Sequence, residues 1–489
     1  MDLTERIAEF EKLLAIKDAE ISALEQSLER TAAENAELKE LVSKLGKAVE
    51  QLTHQANQNS RNSHKPPSSD DLGKRRSIRK GKKPTGRKPG GQPGHEGHYR
   101  QLLPVESVDI FKEHYPAECD VCQQPPAHLP AIVTGTARYQ VVEMGENGGS
   151  YVTEHQLHSV LCPCGSLVDA SLDKAPTSAF GPRLKSFIAL LTGRYHVSRR
   201  QVPAMLKECF GIDISLGSVS NIEGQMAEAL ESSAKEAMAA VESASVKHID
   251  ETSWLRESKR CSLWVLACAK ATVFRITPDG KGATLRSLFA KAPQGILVSD
   301  RATVFLFWSM DRRQVCWAHL LRTFADFSER SNTLAAKLGR DLQTYAELVL
   351  KYHRDWKAGT LTRDKFRQLT MAVRVQVRRT LNRAVAAKLD YVSGSCENML
   401  AHWHAMWTFL NNPDVDPTNN HGERELRSAV IWRKQCFGTQ SARGDLFAER
   451  MLTVTCTLRK QGRRVLDFLQ ACFEAMLFEG TYPRLIGVG

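Results

Sequence analysis

Three acidic residues of the chain lie in contexts that suit metal-dependent phosphoryl transfer. Asp250 in KHIDETSW and Asp300 in ILVSDRATVF each follow a short apolar run, and Glu423 lies in the polar segment PTNNHGERELR. Carboxylates at strand ends and on a facing helix can hold two divalent cations, which activate water or a DNA 3′-hydroxyl and stabilise the leaving oxygen. The pattern predicts a polynucleotidyl transferase site, although a helix cap or a solvated strand end explains any one of these residues taken alone.

The third carboxylate is assigned to Glu423 rather than to Glu425. The segment 419–432 has the composition of a helix, and in such a helix Glu423 shares one face with Asn420 and Arg427. An amide and a guanidinium beside a carboxylate suit a metal site that faces DNA, so Arg427 is also a predicted DNA ligand. A surface ion pair between Glu423 and Arg427 is the alternative.

The segment QVCWAHLLRTF adds two candidate DNA ligands. His319 and Arg322 are three residues apart and follow the end of a predicted strand. At that position they can contact a phosphate near the scissile bond. A buried histidine satisfied by a neighbouring group is the alternative for His319.

Four of the twelve cysteines are clustered in two pairs, Cys119-x-x-Cys122 and Cys162-x-Cys164. The pairs flank a β-rich stretch, and two thiolate turns of this kind can close a tetrahedral structural zinc site. Unpaired structural thiols are the alternative. Histidines that could replace one thiolate are His114, His128, His155 and His158.

The elements around Asp250 and Asp300 predict an α/β catalytic core. Three strand-like runs, HIDETSW, CSLWVLACA and ATVFRIT, precede a short helix near Leu285, the strand GILVSD, another helix near Phe305 and the strand RQVCWA. This order resembles a ribonuclease H-like fold, with Asp250 on the first strand and Asp300 at the end of the fourth. Helical patterns over 334–356 and 371–389 predict a helical insertion before Glu423.

The amino-terminal segment from Leu3 to Leu52 has an unbroken heptad pattern. β-branched residues at several a positions, leucine at most d positions and a single Asn35 at position a favour a parallel dimeric coiled coil. Packing of this helix on the chain's own globular body is the alternative.

From about residue 54 to residue 100 the pattern gives way to proline, glycine and like charge, which is typical of a flexible linker. Its cations form a predicted DNA-binding arm that neutralises phosphates, with a solvated basic tail as the alternative. These cations are Lys74, Arg75, Arg76, Arg79, Lys80, Lys82, Lys83, Arg87 and Lys88.

Residues 187–230 predict a pair of helices joined by a turn at Gly211, with Ser215 opening the second helix. A second helix rich in small polar residues resembles the reading helix of a helix-turn-helix, which makes Ser218 and Asn221 predicted DNA contacts. A plain helical hairpin is the alternative.

The composition agrees with a nucleic-acid partner. The 489 residues carry a net charge of +12 and a pI near 9.1, which favours a polyanionic ligand. No apolar run reaches the length of about eighteen residues that a membrane span needs, and the amino terminus lacks an apolar signal region. A cytoplasmic protein without membrane partners is therefore expected, with the remaining cysteines as reduced core thiols.

The predicted architecture is multidomain α+β. The divisions are a coiled-coil helix over 1–53, a basic flexible arm over 54–104, a zinc-binding module over 105–178, a helix-turn-helix-like segment over 179–242, the first part of a ribonuclease H-like core over 243–325, a helical insertion over 326–412, the Glu-bearing helix of the core over 413–445, and a carboxyl-terminal helical region over 446–489.

Several of these motifs together resemble the transposases of the insertion sequence 66 family. The strongest is PTNNHGERELR-x-x-VIWRK-x-x-FGTQS, supported by KHIDETSW, VSDRATVF and QVCWAHLLRTF, and the coiled coil, the linker, RKPGGQPGHEG and the cysteine pairs follow in that family's order. The resemblance covers nearly the whole chain. It departs at His421-Gly422 and Ser428, where that family has alanine and proline, which puts the helix cap beside Glu423 in question.

The resemblance implies a DDE transposase with a retroviral-integrase-like core, in which Asp250, Asp300 and Glu423 hold two Mg²⁺ or Mn²⁺ ions. The expected activity is binding of an element's terminal inverted repeats in bacterial DNA, followed by strand cleavage and strand transfer. Expected partners are double-stranded DNA, a second copy of the chain through the coiled coil or a higher oligomer, and accessory proteins of the same element as further candidates. The competing hypotheses are a zinc-containing DNA-binding regulator with an inactive core and a structural assembly protein.

Overall fold

A computed structural model of the chain describes residues 17, 20, 22–46, 100–126, 132–171, 179–257, 259–330, 332–389 and 391–487. The chain divides into two compact units, Met1–Ile78 and Arg79–Gly489. The first unit contains a helix, α1, over residues 22–46. Its apolar residues are exposed, among them Leu24, Leu28, Leu38, Leu41, Val42 and Leu45. The outer parts of the predicted heptad pattern and all nine cations of the predicted arm lie outside the described residues.

A small sheet opens the described part of the second unit. It consists of β1 (Ile110–His114), β2 (Val133–Met144), β3 (Ser150–Leu161) and β4 (Leu167–Asp169). β3 is central, with β1 parallel to it and β2 and β4 antiparallel to it. β2 and β3 join through a tight turn in which Gly148 has a φ of 88°, a conformation that favours glycine.

Four helices follow, namely α2 (Pro182–Gly193), α3 (Gln201–Phe210), α4 (Leu216–Ala229) and α5 (Glu231–Ser243). The predicted turn is confirmed, because Gly211 ends α3 with a φ of 68° and the Ser215 hydroxyl accepts the N–H of Ser218 at the start of α4. Val219 and Ile222 of α4 belong to the same hydrophobic core as the central sheet. The helix pair is therefore packed on the central sheet rather than forming a core of its own.

The central sheet contains β5 (Val246–Arg256), β6 (Lys259–Ala267), β7 (Thr272–Thr277), β8 (Ile296–Ser299) and β9 (Arg313–Val315), with α6 (Gly282–Ser287) between β7 and β8. Its order is β7-β6-β5-β8-β9. The first three strands are antiparallel, and β8 runs parallel to both β5 and β9. The predicted succession of strands and the short helix near Leu285 are confirmed.

The predicted helix near Phe305 is a 3₁₀ turn, Thr303–Phe305, instead of an α-helix. Phe305 and Trp308 are both buried, and their rings pack on Trp264 and Phe289 respectively. Phe305 and Trp308 are three residues apart, the repeat of a 3₁₀ helix, so their rings can point to the same side, where Phe305 meets Trp264 of β6 and Trp308 meets Phe289 of the segment before β8. Tertiary packing therefore decides this local geometry.

The helical patterns predicted over 334–356 and 371–389 are present as α8 (Thr333–Lys357) and α9 (Arg363–Ala386), with α7 (Trp317–Ser328) before them and α10 (Val392–Ala401) after them. Most of α7 lies in the segment 243–325 predicted to belong to the core. These helices form a second hydrophobic core that includes Leu338, Leu342 and Val349 from the predicted stripe. α9 begins eight residues earlier than its apolar pattern, which starts at Met371, indicates, because the Thr362 side chain caps it by accepting the N–H of Lys365.

Three carboxyl-terminal helices, α11 (Asn420–Cys436), α12 (Ala442–Lys460) and α13 (Val465–Leu477), complete the fold. α12 covers the edge strand β7 with side-chain acceptors: Thr457, Thr453 and Glu449 accept the N–H groups of Thr272, Phe274 and Ile276. An edge that would otherwise be open to pairing with another strand is thereby satisfied.

The turn after α11 joins that helix to β5. Gly438 has a φ of 89°, and a Cβ at this position would lie 2.1 Å from the Leu255 carbonyl oxygen. The following N–H of Thr439 donates to the same oxygen.

No helix in the described part of the chain combines the length and the apolar composition that crossing a membrane requires.

Candidate active site and cysteine cluster

Asp250 and Asp300 lie on neighbouring strands at the same level. In the parallel pair of β5 and β8, His248 is opposite Val298. Asp250 follows His248 by two residues, and Asp300 follows Val298 by two residues. Because side chains alternate between the faces of a strand, the two carboxylates lie side by side where β8 ends.

Glu423 approaches this pair from the first turn of α11. Electrostatic repulsion from Asp300 and Glu423 contributes to a raised pKa at Asp250. Burial is the largest cause, and together these effects raise the pKa of Asp250 to about 6. The Glu251 N–H and the Arg322 guanidinium act in the opposite direction. Among the described residues, the ligand atoms of Asp250, Asp300 and Glu423 are not all within 4.8 Å of one another, so the three carboxylates do not form a single compact ligand group. A cation placed among the three groups would relieve the repulsion.

Asn419 anchors α11 to the central sheet. It is 1% exposed, and its side chain bonds His248 Nδ1 through Oδ1 at 3.0 Å and the Ile249 carbonyl through Nδ2 at 3.0 Å. Its backbone oxygen accepts the N–H of Glu423 at 3.0 Å. Asn419 therefore ties the first turn of α11 to the residue that precedes Asp250. Sequence reasoning missed this role, although the paired asparagines before the helix were the available signal.

Gly422 is one of the positions where the chain departs from the family pattern. A Cβ at Gly422 would lie 2.9 Å from Asn419 Oδ1. Glycine therefore leaves room for the Asn419 amide in its bonded position. α11 starts at Asn420 without a side-chain cap, because the Asn419 side chain forms hydrogen bonds with β5 instead of with the first turn of the helix.

Glu423 is paired with α7. Its Oε1 accepts a hydrogen bond from Arg322 Nη2 at 3.0 Å and lies 3.6 Å from His319 Nδ1. The structure thus brings together Glu423, His319 and Arg322, as expected for residues around one site. The described ion pair of Glu423 is with Arg322, and Arg427 is exposed further along the same helix.

His319 is a half-buried histidine of this site. Its Nδ1 is enclosed without a hydrogen-bond partner among the described residues, and burial lowers its pKa, with the charge of Arg322 as the next cause. Cys316 Sγ lies with His319 and Glu423 in a group whose ligand atoms are within 4.8 Å of one another. A neutral imidazole beside the carboxylates can accept a hydrogen bond from a bound group.

Glu425 occupies a different environment. It is 7% exposed and pairs with Arg459 at 3.2 Å and Lys460 at 3.8 Å on α12. Both cations therefore have partners inside the chain. This geometry supports Glu423 rather than Glu425 as the carboxylate that faces Asp250.

The four clustered cysteines lie together. Cys119 Sγ is 3.7 Å from Cys164 Sγ, and Cys122 Sγ is 3.6 Å from Cys162 Sγ. A tetrahedron with zinc–sulfur bonds of about 2.3 Å has edges of about 3.8 Å. The spacing of the four sulfurs therefore fits one zinc ion, and all four ligand atoms lie within 4.8 Å of one another.

The histidines considered as substitutes have other partners. His114 Nε2 bonds His155 Nδ1 at 2.9 Å, and His158 Nδ1 bonds the Thr136 hydroxyl at 2.9 Å. His128 lies outside the described residues. The four thiols alone thus form the donor set that the structure describes.

The two residues predicted to read DNA lie on α4. Ser218 is half-buried and its hydroxyl bonds the Ser215 hydroxyl at 2.9 Å. Asn221 is exposed, and its carbonyl accepts a hydrogen bond from Arg443 of α12 at 3.3 Å. The side chain of Asn221 is thus the better placed of the two for an external ligand.

The fold and the site define a multidomain α+β protein with a carboxylate cluster on the central sheet of its larger unit. The model of the family described as "Transposase IS66 family" matches residues 177–445, which include Asp250, Asp300 and Glu423. The chain belongs to this family, which confirms the resemblance found in the sequence. Residues 5–101 match a family of unknown function.

A curated relative is similar over a large part of the chain. The "Uncharacterized protein y4hP" of Sinorhizobium fredii (strain NBRC 101917 / NGR234) is 25% identical over an alignment of 331 residues that covers 61% of this chain. The matched region spans 60% of the length of that relative.

Proposed function

We propose that the chain is a DDE transposase that binds the terminal inverted repeats of a bacterial insertion sequence and catalyses DNA strand cleavage and strand transfer. The observation that carries this proposal is the position of Asp250 and Asp300 on the neighbouring parallel strands β5 and β8, with Glu423 on α11 contributing to the raised pKa of Asp250. The family membership supports it independently.

The strand order supports a ribonuclease H-like core. β5 lies at the centre of the order β7-β6-β5-β8-β9, with three antiparallel strands followed by two parallel ones. β5, the first strand of this sheet in chain order, carries Asp250 in its interior, and Asp300 directly follows β8, the fourth strand. α11 then supplies the third from the face of the sheet that it covers.

In the proposed mechanism Asp250, Asp300 and Glu423 hold two Mg²⁺ or Mn²⁺ ions. The repulsion among these carboxylates fits a site that is completed by cations. When bound, such ions activate the attacking oxygen and stabilise the leaving oxygen of an in-line displacement. Asn419 positions α11, so that the distance from Glu423 to the sheet is maintained.

The other side chains act on DNA. Arg322 gives up its bond with Glu423 when the site is filled and donates to a phosphate oxygen instead, and His319 and Arg427 contact the same backbone. Water attacks first and frees a 3′-hydroxyl, which then attacks the target strand. No covalent link between the chain and DNA is needed.

The remaining domains supply affinity and assembly. The coiled coil over 1–53 forms a dimer or a higher oligomer, the arm over 54–104 binds phosphates, and α4 reads the terminal repeat with Ser218 and Asn221. Cys119, Cys122, Cys162 and Cys164 hold one structural zinc ion.

The protein acts in the bacterial cytoplasm, associated with the nucleoid when bound to DNA, and accessory proteins of the same element are candidate partners. The other predicted domain boundaries are retained, with the helices over 179–242 sharing the core of the central sheet.

A cleavage assay tests the catalytic assignment. Asp250→Asn, Asp300→Asn and Glu423→Gln should each abolish nicking of a plasmid that carries the ends of the element, in Mg²⁺ or Mn²⁺, because each removes a metal ligand. DNA affinity measured by mobility shift should stay nearly unchanged.

Matched controls are available beside two of the three residues. Glu251→Gln removes an exposed carboxylate next to Asp250, and Glu425→Gln removes the carboxylate two residues after Glu423; neither should abolish nicking. Loss of nicking in Glu425→Gln with retention in Glu423→Gln would overturn the third assignment. A wild-type chain that binds these ends and never nicks them would favour the regulator.

A further inference from the structure

The helix α9 of the insertion is unusually basic. Over Arg363–Ala386 it carries seven arginines and lysines and a single carboxylate, Asp364, so it cannot neutralise its own charge. Cations in and beside the neighbouring helices are neutralised locally, since Arg330 pairs with Asp326 and Lys351 pairs with Asp355, each one helical turn away. Across the described residues, the α9 cations take part in no such ion pair with a carboxylate.

Three of these arginines form a row. Arg367, Arg374 and Arg378 are separated by seven and four residues, which places them within about 40° of one another around the helix. The row extends about 16 Å along the helix axis. The buried face of α9, which includes Phe366 and Val377, points elsewhere.

Aromatic rings hold two members of the row in place. The guanidinium carbons of Arg374 and Arg378 each lie 5.5 Å from the centroid of the Trp403 ring, and that of Arg374 lies 5.7 Å from Trp407. Burial and the adjacent charge of Arg378 lower the pKa of Arg374. The row is thus a concentration of like charge on stacked, partly ordered side chains, which an anionic ligand would stabilise.

Helix α10 links the row to the carboxylate site. Arg301, the residue after Asp300, donates from Nη1 to Asn398 Oδ1 at 3.0 Å and to the Ser395 carbonyl at 3.4 Å, both on α10. α10 packs on α9 in the second hydrophobic core, and Trp403 follows two residues after α10 ends. α10 thus connects the helix that carries the row with the residue that follows Asp300.

We propose that Arg367, Arg374 and Arg378 bind the phosphate backbone of the DNA duplex whose strand enters the carboxylate site. The inference rests on the proposed function and adds a DNA-binding surface within the insertion. Duplex DNA presents one negative charge per about 1.7 Å of its axis, so a 16 Å row meets several phosphates. Guanidinium groups suit these because they donate two parallel hydrogen bonds to one phosphate.

The test compares two double variants of the full-length chain on random-sequence duplex DNA at several salt concentrations. Arg367→Gln/Arg378→Gln removes the two exposed members of the row. Arg379→Gln/Arg383→Gln removes the same charge from the same helix, at positions about 120–160° away from Arg367. The row variant should lower the slope of log affinity against log salt by about two, since each lost phosphate contact lowers it by about 0.9. The control pair should change it by less than half as much.

Two controls separate a loss of binding from a loss of folding. Circular dichroism checks that each variant is folded. The variant Arg367→Lys/Arg378→Lys keeps the charge and should therefore keep most of the slope. Equal losses in the row and control variants would show that only net charge matters and would overturn the inference. So would an unchanged slope in the row variant, the result expected if the row binds an acidic protein. In either case a wild-type chain that still nicks DNA in Mg²⁺ leaves the proposed function standing, whereas a wild-type chain that neither binds nor nicks DNA removes its basis.

Discussion

The replacement Asp250→Asn should stabilise the metal-free protein, even though it removes the proposed activity. Folding raises the pKa of Asp250 from 3.8 to about 6, first through burial and then through repulsion from Asp300 and Glu423. Between these two pH values the folded chain retains a proton that the unfolded chain has lost. Stability therefore falls as the pH rises through this window, and the loss is complete above about pH 6.

The magnitude follows from the pKa difference. At 1.36 kcal/mol per pKa unit, the ionised Asp250 opposes folding by up to about 3 kcal/mol at pH 8, and by roughly half as much at pH 5. Asparagine has no charge to lose and its side-chain oxygen can still accept the Glu251 N–H. The stability advantage of Asp250→Asn should therefore grow by about 1 kcal/mol between pH 5 and pH 8.

Urea unfolding followed by tryptophan fluorescence at both pH values measures this advantage. Mg²⁺ should stabilise the wild type more than the variant, because a ligand stabilises the state that binds it. Asp279→Asn is a control of opposite sign, since hydrogen bonds from the Thr284 hydroxyl and the Lys281 N–H lower the pKa of Asp279. A lowered pKa of Asp279 stabilises the folded protein at pH values above the ordinary pKa of aspartate. Asp279→Asn should therefore destabilise the protein at pH 8. A loss of stability in Asp250→Asn at pH 8, or an advantage that does not depend on pH, would refute the reasoning.

Three further results are expected. Chelation of zinc, or Cys122→Ser, should lower the thermal stability of the module over 105–178 because four thiolates close one tetrahedral site, and elemental analysis that finds no zinc would contradict this. Deletion of residues 1–52 should abolish dimerisation measured by light scattering without abolishing nicking, and Asn35→Leu should broaden the oligomer distribution; a truncated chain that stays dimeric would exclude the coiled coil. Glutamine at the cations from Lys74 to Lys88 should flatten the salt dependence of DNA affinity while discrimination of terminal repeats persists, and loss of that discrimination at matched salt would make the arm the reader.

Local signals in the sequence were sufficient for most of the secondary structure. Strand-like apolar runs located β5, β6 and β7, and helical periodicity located α8 and α9, because both patterns reflect which side chains each element buries. Gly211 and Ser215 marked a turn and a cap whose geometry depends on one or two residues. The helix predicted near Phe305 is only the three-residue 3₁₀ turn Thr303–Phe305, and the burial of Phe305 against Trp264 could not be predicted from local sequence.

Within the candidate site, the sequence by itself determined which residues carry carboxylates and which strand or helix carries each. Their proximity was decided by the tertiary structure: the parallel register of β5 with β8 places Asp250 level with Asp300, and Asn419 holds α11 against β5. The partner of Glu423 was decided in the same way, because Arg322 lies on another helix and 101 residues away in the chain. Helical periodicity predicts neighbours within one element, whereas a hydrogen bond between distant segments depends on how the elements pack. The basic row of α9 shows both contributions, because the sequence specifies its charge, whereas its contact with Trp403 forms only in the folded chain.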